Sequence, residues 1–277
     1  MICRVLLQAA AQRLQQAACD APRKDAELML MQAWAISQTD LIIKAHDDVP
    51  KDVVERFETM FKRRLNREPL AYILGVKAFW QDEFVVTPDV LVPRPETEHL
   101  IEKVLQYLPD QQAKYDIADI GTGSGCIAVS LAREYPQSLV TACDISAKAL
   151  QVAQSNAENI GVRERMIFLQ GDLYQALATA SKFDVIVSNP PYVSQEEMLD
   201  LAAELSFEPR FALTDEATGL TLLEKLLQDA HVYLKEGGLL VLESGLCGMP
   251  DTPNTMVKLE DYFDLAGNFR GSVFRRL

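Results

Sequence analysis

The sequence predicts an α/β fold in which the strands of an open sheet alternate with helices, and three stretches carry that prediction. Tyr115-Asp116-Ile117-Ala118-Asp119-Ile120 reads as a buried strand, Gly121-Thr122-Gly123-Ser124-Gly125 as a glycine turn, and Cys126 to Arg133 as the helix that the turn opens. A second strand, Leu139 to Cys143, ends in Asp144, 23 positions after Gly121 (144 minus 121). A further apolar run, Asp184 to Val187, leads into Ser188-Asn189-Pro190-Pro191-Tyr192. Each time, the residues able to do chemistry follow the carboxyl end of a strand, which is where open α/β sheets hold their ligands.

Ahead of the sheet, residues 1 to about 68 have a helical pattern. Met1 to Ala18 carries an apolar stripe, Pro22 starts a second helix through Leu28, Leu30 and Trp34, and Lys51 to Leu65 forms another. Ala71 to Leu74 and Phe79 to Thr87 run apolar or alternate with β formers on either side of Gly75, which predicts a two-stranded connector before Pro88. The expected division is a helical domain over 1–70, a β-hairpin over 71–88 and a sheet domain over 89–277. The first of these holds no catalytic grouping, and the chain has no repeat or low-complexity tract.

The glycine turn lets backbone pass close to a ligand, and the helix behind it leaves N–H donors free. A dinucleotide site wants G-x-G-x-x-G; the spacing here is G-x-G-x-G, which points away from a nicotinamide cofactor. Asp144 stands where an acid takes a pair of ribose hydroxyls. The third strand, Met166 to Leu169, runs into Gly171-Asp172-Leu173, which puts an acid and an apolar side chain at the edge of an adenine ring. Asn189-Pro190-Pro191-Tyr192 can hold a planar amino group: the asparagine oxygen and the following carbonyl both accept, the prolines have fixed φ and no N–H, and the tyrosine offers a ring face. Taken alone, that run also reads as a proline turn closing a strand, and the glycine triplet as a tight strand-to-helix turn. Gathered in one crevice, they point to a nucleoside-bearing cofactor beside an –NH2 bonded to a π system, as on adenine, cytosine, glutamine or asparagine.

These motifs resemble those of class I S-adenosylmethionine-dependent methyltransferases acting on exocyclic or amide nitrogens. Over roughly residues 20 to 245 the chain resembles one family closely, the peptide-chain-release-factor glutamine methyltransferases (PrmC/HemK). Further stretches carry the likeness: Arg67-Glu68-Pro69-Leu70-Ala71-Tyr72-Ile73-Leu74-Gly75, Phe79-Trp80, Val90-Leu91-Val92-Pro93-Arg94-Pro95-Glu96-Thr97-Glu98 and Phe207-Glu208-Pro209. The resemblance implies a Rossmann-like domain with a mostly parallel seven-stranded sheet whose last strand is antiparallel. It implies S-adenosyl-L-methionine as methyl donor, S-adenosyl-L-homocysteine as product, and the glutamine of the GGQ motif in peptide chain release factors as acceptor. Cofactor contacts then fall on Gly121, Thr122, Gly123, Ser124, Gly125, Asp144, Asp172, Leu173 and Asn189. Catalysis and substrate holding fall on Asn189, Pro190, Pro191 and Tyr192, and the helical domain docks the protein substrate.

A sister family that methylates a glutamine of a large-subunit ribosomal protein is also similar, but differs after the Pro-Arg, so Pro93 to Glu98 favours the release-factor branch. Two departures stand out. Cys247 to Pro253 interrupts the place of a long helix, leaving only Thr255 to Phe263 able to be helical, on a sheet edge expected to lie away from the cofactor. Leu173 stands where some relatives have an aromatic residue, which implies weaker cofactor affinity.

Composition agrees. The chain has 277 residues, 48% of them hydrophobic, enough for two cores. Its 27 Lys and Arg against 40 Asp and Glu give a formal charge of −13, which repels phosphate backbones and counts against a DNA methyltransferase. Cys3, Cys19, Cys126, Cys143 and Cys247 have neither metal-type nor paired spacing and read as reduced thiols; no metal is expected, and Cys126 reads as a small buried hydrophobe. His46, His99 and His231 lie outside the motifs. No long apolar span or signal peptide is evident, so the expectation is a cytoplasmic monomer that takes no membrane and no nucleic acid.

Overall fold

In the computed structural model, which describes residues 1–178 and 180–277, the chain separates into two units. One is Met1–Gly75 with Ala202–Phe207, the other Val76–Leu201 with Glu208–Leu277.

The first unit is helical: α1 (Cys3–Gln16), α2 (Pro22–Trp34), α3 (Gln38–Ile43), α4 (Lys51–Leu65) and α5 (Leu70–Leu74). Pro22 heads α2, where its missing N–H costs nothing. α3 escapes a periodicity reading because it is only 6 residues long; it starts on a capping box in which Ser37 and Asp40 satisfy each other's backbone N–H. Leu14, Met29, Leu30, Phe57 and Phe61 build the core, with the two phenylalanine rings stacked at 5.6 Å. The segment Ala202–Phe207 belongs to this unit through Glu204, which accepts from buried Arg64 (3.2 Å) and from Arg67 (2.7 Å), while Arg64 also donates to Asp25 (2.7 Å).

The connector begins later than its sequence predicts. Ala71 to Leu74 lies in the single turn α5, started by Pro69 and capped by Gly75, so it is not a strand. The hairpin follows wholly after Gly75, with β1 (Val76–Phe79) antiparallel to β2 (Asp82–Val85). Apolar side chains at 70, 73 and 74 fit one helical face as well as they fit a strand, and Pro69 decides between them.

The second unit continues with α6 (Glu98–Tyr107), β3 (Asp116–Ile120), α7 (Cys126–Glu134), β4 (Leu139–Asp144), α8 (Ala147–Ile160), β5 (Met166–Gln170), β6 (Phe183–Ser188), α9 (Thr221–Tyr233), β7 (Leu234–Glu243), β8 (Met256–Phe263) and β9 (Phe269–Arg276). The seven strands lie in the order β5-β4-β3-β6-β7-β9-β8. β5 through β7 are parallel and β9 runs against both its neighbours, so the mostly parallel sheet with an antiparallel last strand holds. Thr255 to Phe263 is not a helix. Met256 to Phe263 pairs along β9 and buries Met256 and Tyr262, and among the described residues no helix lies between β7 and β8. Val257, Tyr262 and Phe263 favour a pleated edge over a helix.

Strand order reverses at β3, which has β4 on one side and β6 on the other. A crevice opens outside the carboxyl ends there. Among the described residues no helix is long and apolar enough to cross a membrane.

Candidate active site

β3 is buried from Ile117 to Ile120 and delivers Gly121 to the crevice. The N–H groups of Gly121 and Thr122 both donate to Cys143 O (2.9 Å each), which ties the glycine turn to the end of β4. Gly125 has φ 80°, and a Cβ there would stand 2.9 Å from Ala153 Cβ, so only glycine lets α7 start this close to α8.

A cavity of ≈ 610 Å³ opens over the turn, with Gly121, Gly123, Asp144, Asp172, Leu173 and Asn189 in its wall, together with Pro191. Thr122, Ser124, Gly125, Pro190 and Tyr192 do not line it. Thr122 Oγ1 donates to Asp119 Oδ2 (2.7 Å) and the Ser124 carbonyl accepts from Asn156 Nδ2 (2.8 Å), so these two shape the turn from behind. Leu173 sits at φ 47°, a left-handed backbone unusual for a branched apolar residue and found at binding sites. Asp89, Leu91, Arg210, Phe211 and Asp215 also line the cavity; their only sequence signal is nearness to the Val90 to Glu98 and Phe207 to Pro209 stretches.

Asp144 accepts from Gly123 N through Oδ2 (2.9 Å) and from Ser146 N through Oδ1 (2.8 Å). Burial raises its pKa, and those backbone N–H groups oppose the rise. Each carboxylate oxygen keeps a lone pair, so a hydroxyl pair in the cavity has acceptors. A Cβ at Gly121 or Gly123 would meet nothing within 4 Å, which leaves room for a ligand against the turn.

Asp119 went unrecognised because it sits inside an apolar strand. It is fully buried, one residue before the cavity wall at Ile120, and its Oδ1 has no partner among the described residues. Burial pushes it up to about 7; the Thr122 hydroxyl opposes that, and the Asp144 charge adds to it. The open space at Gly121 and Gly123 and the acceptors that Asp144 keeps in the cavity wall fit the nucleoside of S-adenosyl-L-methionine.

The raised value has a consequence for the ligand-free protein. Between pH 3.8 and about 7 the folded state keeps a proton on Asp119 that the unfolded chain has lost, so stability from this group is present below that window and is lost as pH rises through it. Asp119→Asn should raise the melting temperature above pH 7 by several degrees, at about 2–4 °C per kcal/mol for a chain of this size, and leave it unchanged below pH 4. Calorimetric scans at the two pH values check this; an equal shift at both would remove the ionisation from the account.

Within the second unit, three of the stretches that carry the sequence likeness are tied together beside Asn189: Val90 to Glu98, Glu208 and Trp80. Asn189 Nδ2 donates to Thr97 Oγ1 (3.1 Å), and among the described residues no protein group donates to its Oδ1. The Tyr192 hydroxyl donates to Glu243 Oε1 (3.2 Å) at the end of β7. Glu208 clamps the segment before α6, accepting from Val92 N (3.0 Å) and Arg94 Nη2 (2.5 Å), and Glu98 accepts from Trp80 N (2.8 Å). Burial pushes Cys126 up to about 12, which fits an inert thiol. His99 pairs with Glu102 and His231 with a backbone carbonyl, both away from the cavity wall. Immediately after β7, a Cβ at Gly245 would come within 2.8 Å of the Tyr192 ring, so glycine there lets the chain pass against it.

Residues 5–75 match the family model described as the PrmC N-terminal domain, and residues 98–216 match that of the methyltransferase small domain. A release factor glutamine methyltransferase of Neisseria gonorrhoeae is 40% identical over 225 residues, covering 81% of each chain. Another, of Nitratidesulfovibrio vulgaris, is 41% identical over 241 residues, 87% of this chain and 81% of the relative. Among solved structures, a methyltransferase from Pyrococcus furiosus has a TM-score of 0.50 at 19% identity, covering 78% of this chain and 98% of its own, a likeness of fold alone.

Proposed function

We propose, for a chain that belongs to the family of release factor glutamine methyltransferases, that it transfers the methyl group of S-adenosyl-L-methionine to the side-chain amide nitrogen of the GGQ glutamine in peptide chain release factors. The observation that carries this reading is Asn189: it lies in the cavity wall with its NH2 engaged by Thr97 and its oxygen left for a substrate.

When bound, S-adenosyl-L-methionine would supply an electrophilic methyl group on a sulfonium, and Gly121, Gly123, Asp144, Asp172 and Leu173 in the cavity wall would hold it. An amide nitrogen is a poor nucleophile because its lone pair is delocalised, so the protein's contribution is placement. Asn189 Oδ1 and the Pro190 carbonyl accept the two amide protons, and Tyr192 packs on the amide plane. A nitrogen fixed at a near-attack distance of about 3 to 3.5 Å needs no strong base beforehand. The proton it sheds passes to water or to the Pro190 carbonyl.

The formal charge of −13 supports a protein substrate over a nucleic acid. A ribosomal-protein glutamine is the second reading, disfavoured by Pro93 to Glu98. We place the protein in the cytoplasm as a monomer, with a catalytic domain from residue 89, a hairpin joining it and a helical domain over 1–70 that docks the release factor. Ile42 and Ile43 on α3 are 70% and 72% exposed, an apolar pair suited to a protein partner. Incubation with labelled cofactor and purified release factors, followed by mass mapping of the modified residue, tests the reaction; label on any residue other than glutamine rejects it. For docking, the pair Ile42→Glu and Ile43→Glu should raise KM for an intact release factor on the order of 10-fold, the equivalent of about 1.4 kcal/mol, and leave methylation of a short glutamine peptide unchanged. Equal effects on both substrates would reduce this unit to a stabilising cap.

A further inference from the structure

In the reaction just described, the Pro93-Arg94-Pro95-Glu96-Thr97-Glu98 stretch enters only through Thr97, which holds the Asn189 NH2. Thr97 heads α6, where a threonine hydroxyl ordinarily accepts from a backbone N–H of the first turn. Here it makes no cap hydrogen bond. It is instead 2% exposed and accepts from Asn189 Nδ2 (3.1 Å), across 92 positions of sequence. Glu243, also 2% exposed, is near enough for the Thr97 and Tyr192 hydroxyls to favour its charged form, while burial, the larger effect, pushes it up to about 7; Tyr192 donates to Oε1 (3.2 Å), and Oε2 has no hydrogen-bond partner among the described residues.

The direction of these bonds matters. A hydroxyl can donate once and accept twice, whereas an ionised carboxylate only accepts. Above about pH 7, where Glu243 is ionised, its unpartnered Oε2 draws the Thr97 proton, so Thr97 can offer Asn189 only a lone pair. That lone pair takes the NH2 end of the Asn189 amide, and the oxygen end must then face the cavity. Without it, the two ends of the amide are nearly the same shape and differ little in cost. An Asn189 turned the other way would present donors to the substrate's own NH2, and the nitrogen would not be held.

We propose that Thr97 and Glu243 are positioning residues that fix which end of the Asn189 amide faces the substrate nitrogen. The inference rests on the amide-holding part assigned to Asn189 above, and gives Pro93 to Glu98 a task in catalysis. The Tyr192 hydroxyl, donating to the same carboxylate, shares the anchor, so Asn189 and Tyr192 are set from one buried point.

Thr97→Val keeps the shape and removes the hydroxyl; Thr97→Ser keeps the hydroxyl and removes a methyl; Glu243→Gln offers Thr97 a donor in place of a pure acceptor. On a purified release factor, Thr97→Val should lower single-turnover kcat on the order of 10- to 100-fold, with KM for the release factor and the Kd of S-adenosyl-L-methionine within about twofold of wild type. Thr97→Ser should recover most of the rate, and Glu243→Gln should fall with Thr97→Val. Thr97→Val at the wild-type rate overturns the inference, and so does Thr97→Ser as slow as Thr97→Val, which would make the effect one of packing. If Thr97→Val does not fold, Glu243→Gln at the wild-type rate overturns it. A wild-type protein that modifies no glutamine in the same assay overturns the functional reading and this inference with it, whereas equal rates of wild type and Thr97→Val on a modified glutamine overturn this inference alone.

Discussion

Asn189→Ala is expected to lower single-turnover methylation of a release-factor glutamine by at least about 100-fold while leaving release-factor binding nearly unchanged. One small side chain adds little to a protein interface, yet here it sets where the attacking nitrogen lies, and a misplacement of about 1 Å can by itself cost on the order of 100-fold. Alanine removes the oxygen that accepts an amide proton and also the NH2 that ties the strand end to Thr97. Asn189→Asp separates the two losses. It keeps acceptor oxygens for the substrate but offers Thr97 a second acceptor, in competition with Glu243, so its rate should fall between wild type and alanine. Rapid-quench turnover with enzyme in excess over release factor reads the chemical step directly. An alanine variant at near-normal rate would return Asn189-Pro190-Pro191-Tyr192 to a proline turn closing β6.

That run, the glycine turn and Asp144 were legible in the sequence because each is local: a strand, then the residues that follow its carboxyl end. The sheet was legible for the same reason, since β3 to β6 are short apolar runs bounded by turns. Position on a strand end did not tell which side chains face the cavity. Thr122 and Ser124 look like ligands in sequence but do not line the cavity: the Thr122 hydroxyl donates to Asp119, and the Ser124 backbone carbonyl accepts from Asn156. Asp119 itself is hidden by its apolar neighbours, and only its orphaned oxygen marks it. The Thr97–Asn189 contact spans 92 positions, and no pattern of local periodicity reports a contact of that kind. The two misread elements share another cause. Ala71 to Leu74 and Thr255 to Phe263 are short stretches whose apolar residues satisfy helical and strand spacing alike. Pro69 settles the first, and pairing with β9 settles the second.

Asp144→Ala carries the other large effect, this one on cofactor affinity. Its carboxylate lies in the cavity wall at the end of β4 and retains acceptor capacity after serving Gly123 N and Ser146 N. Losing hydrogen bonds to a charged acceptor costs about 1.5 to 3 kcal/mol, which weakens binding of S-adenosyl-L-methionine roughly 10- to 150-fold. The fold should survive, because burial already disfavours the charged form of Asp144 and its partners are backbone groups of a turn also pinned by Cys143 O. Asp144→Asn refines the test: it preserves shape and one acceptor oxygen, so a Kd between those of wild type and alanine separates hydroxyl recognition from loosening of the Gly121 to Gly125 turn. Isothermal titration with S-adenosyl-L-homocysteine, which lacks the transferable methyl group, measures this without turnover. An unchanged Kd in the alanine variant would mean that the nucleoside does not lie against β4, and the cavity over the glycine turn would need a different ligand.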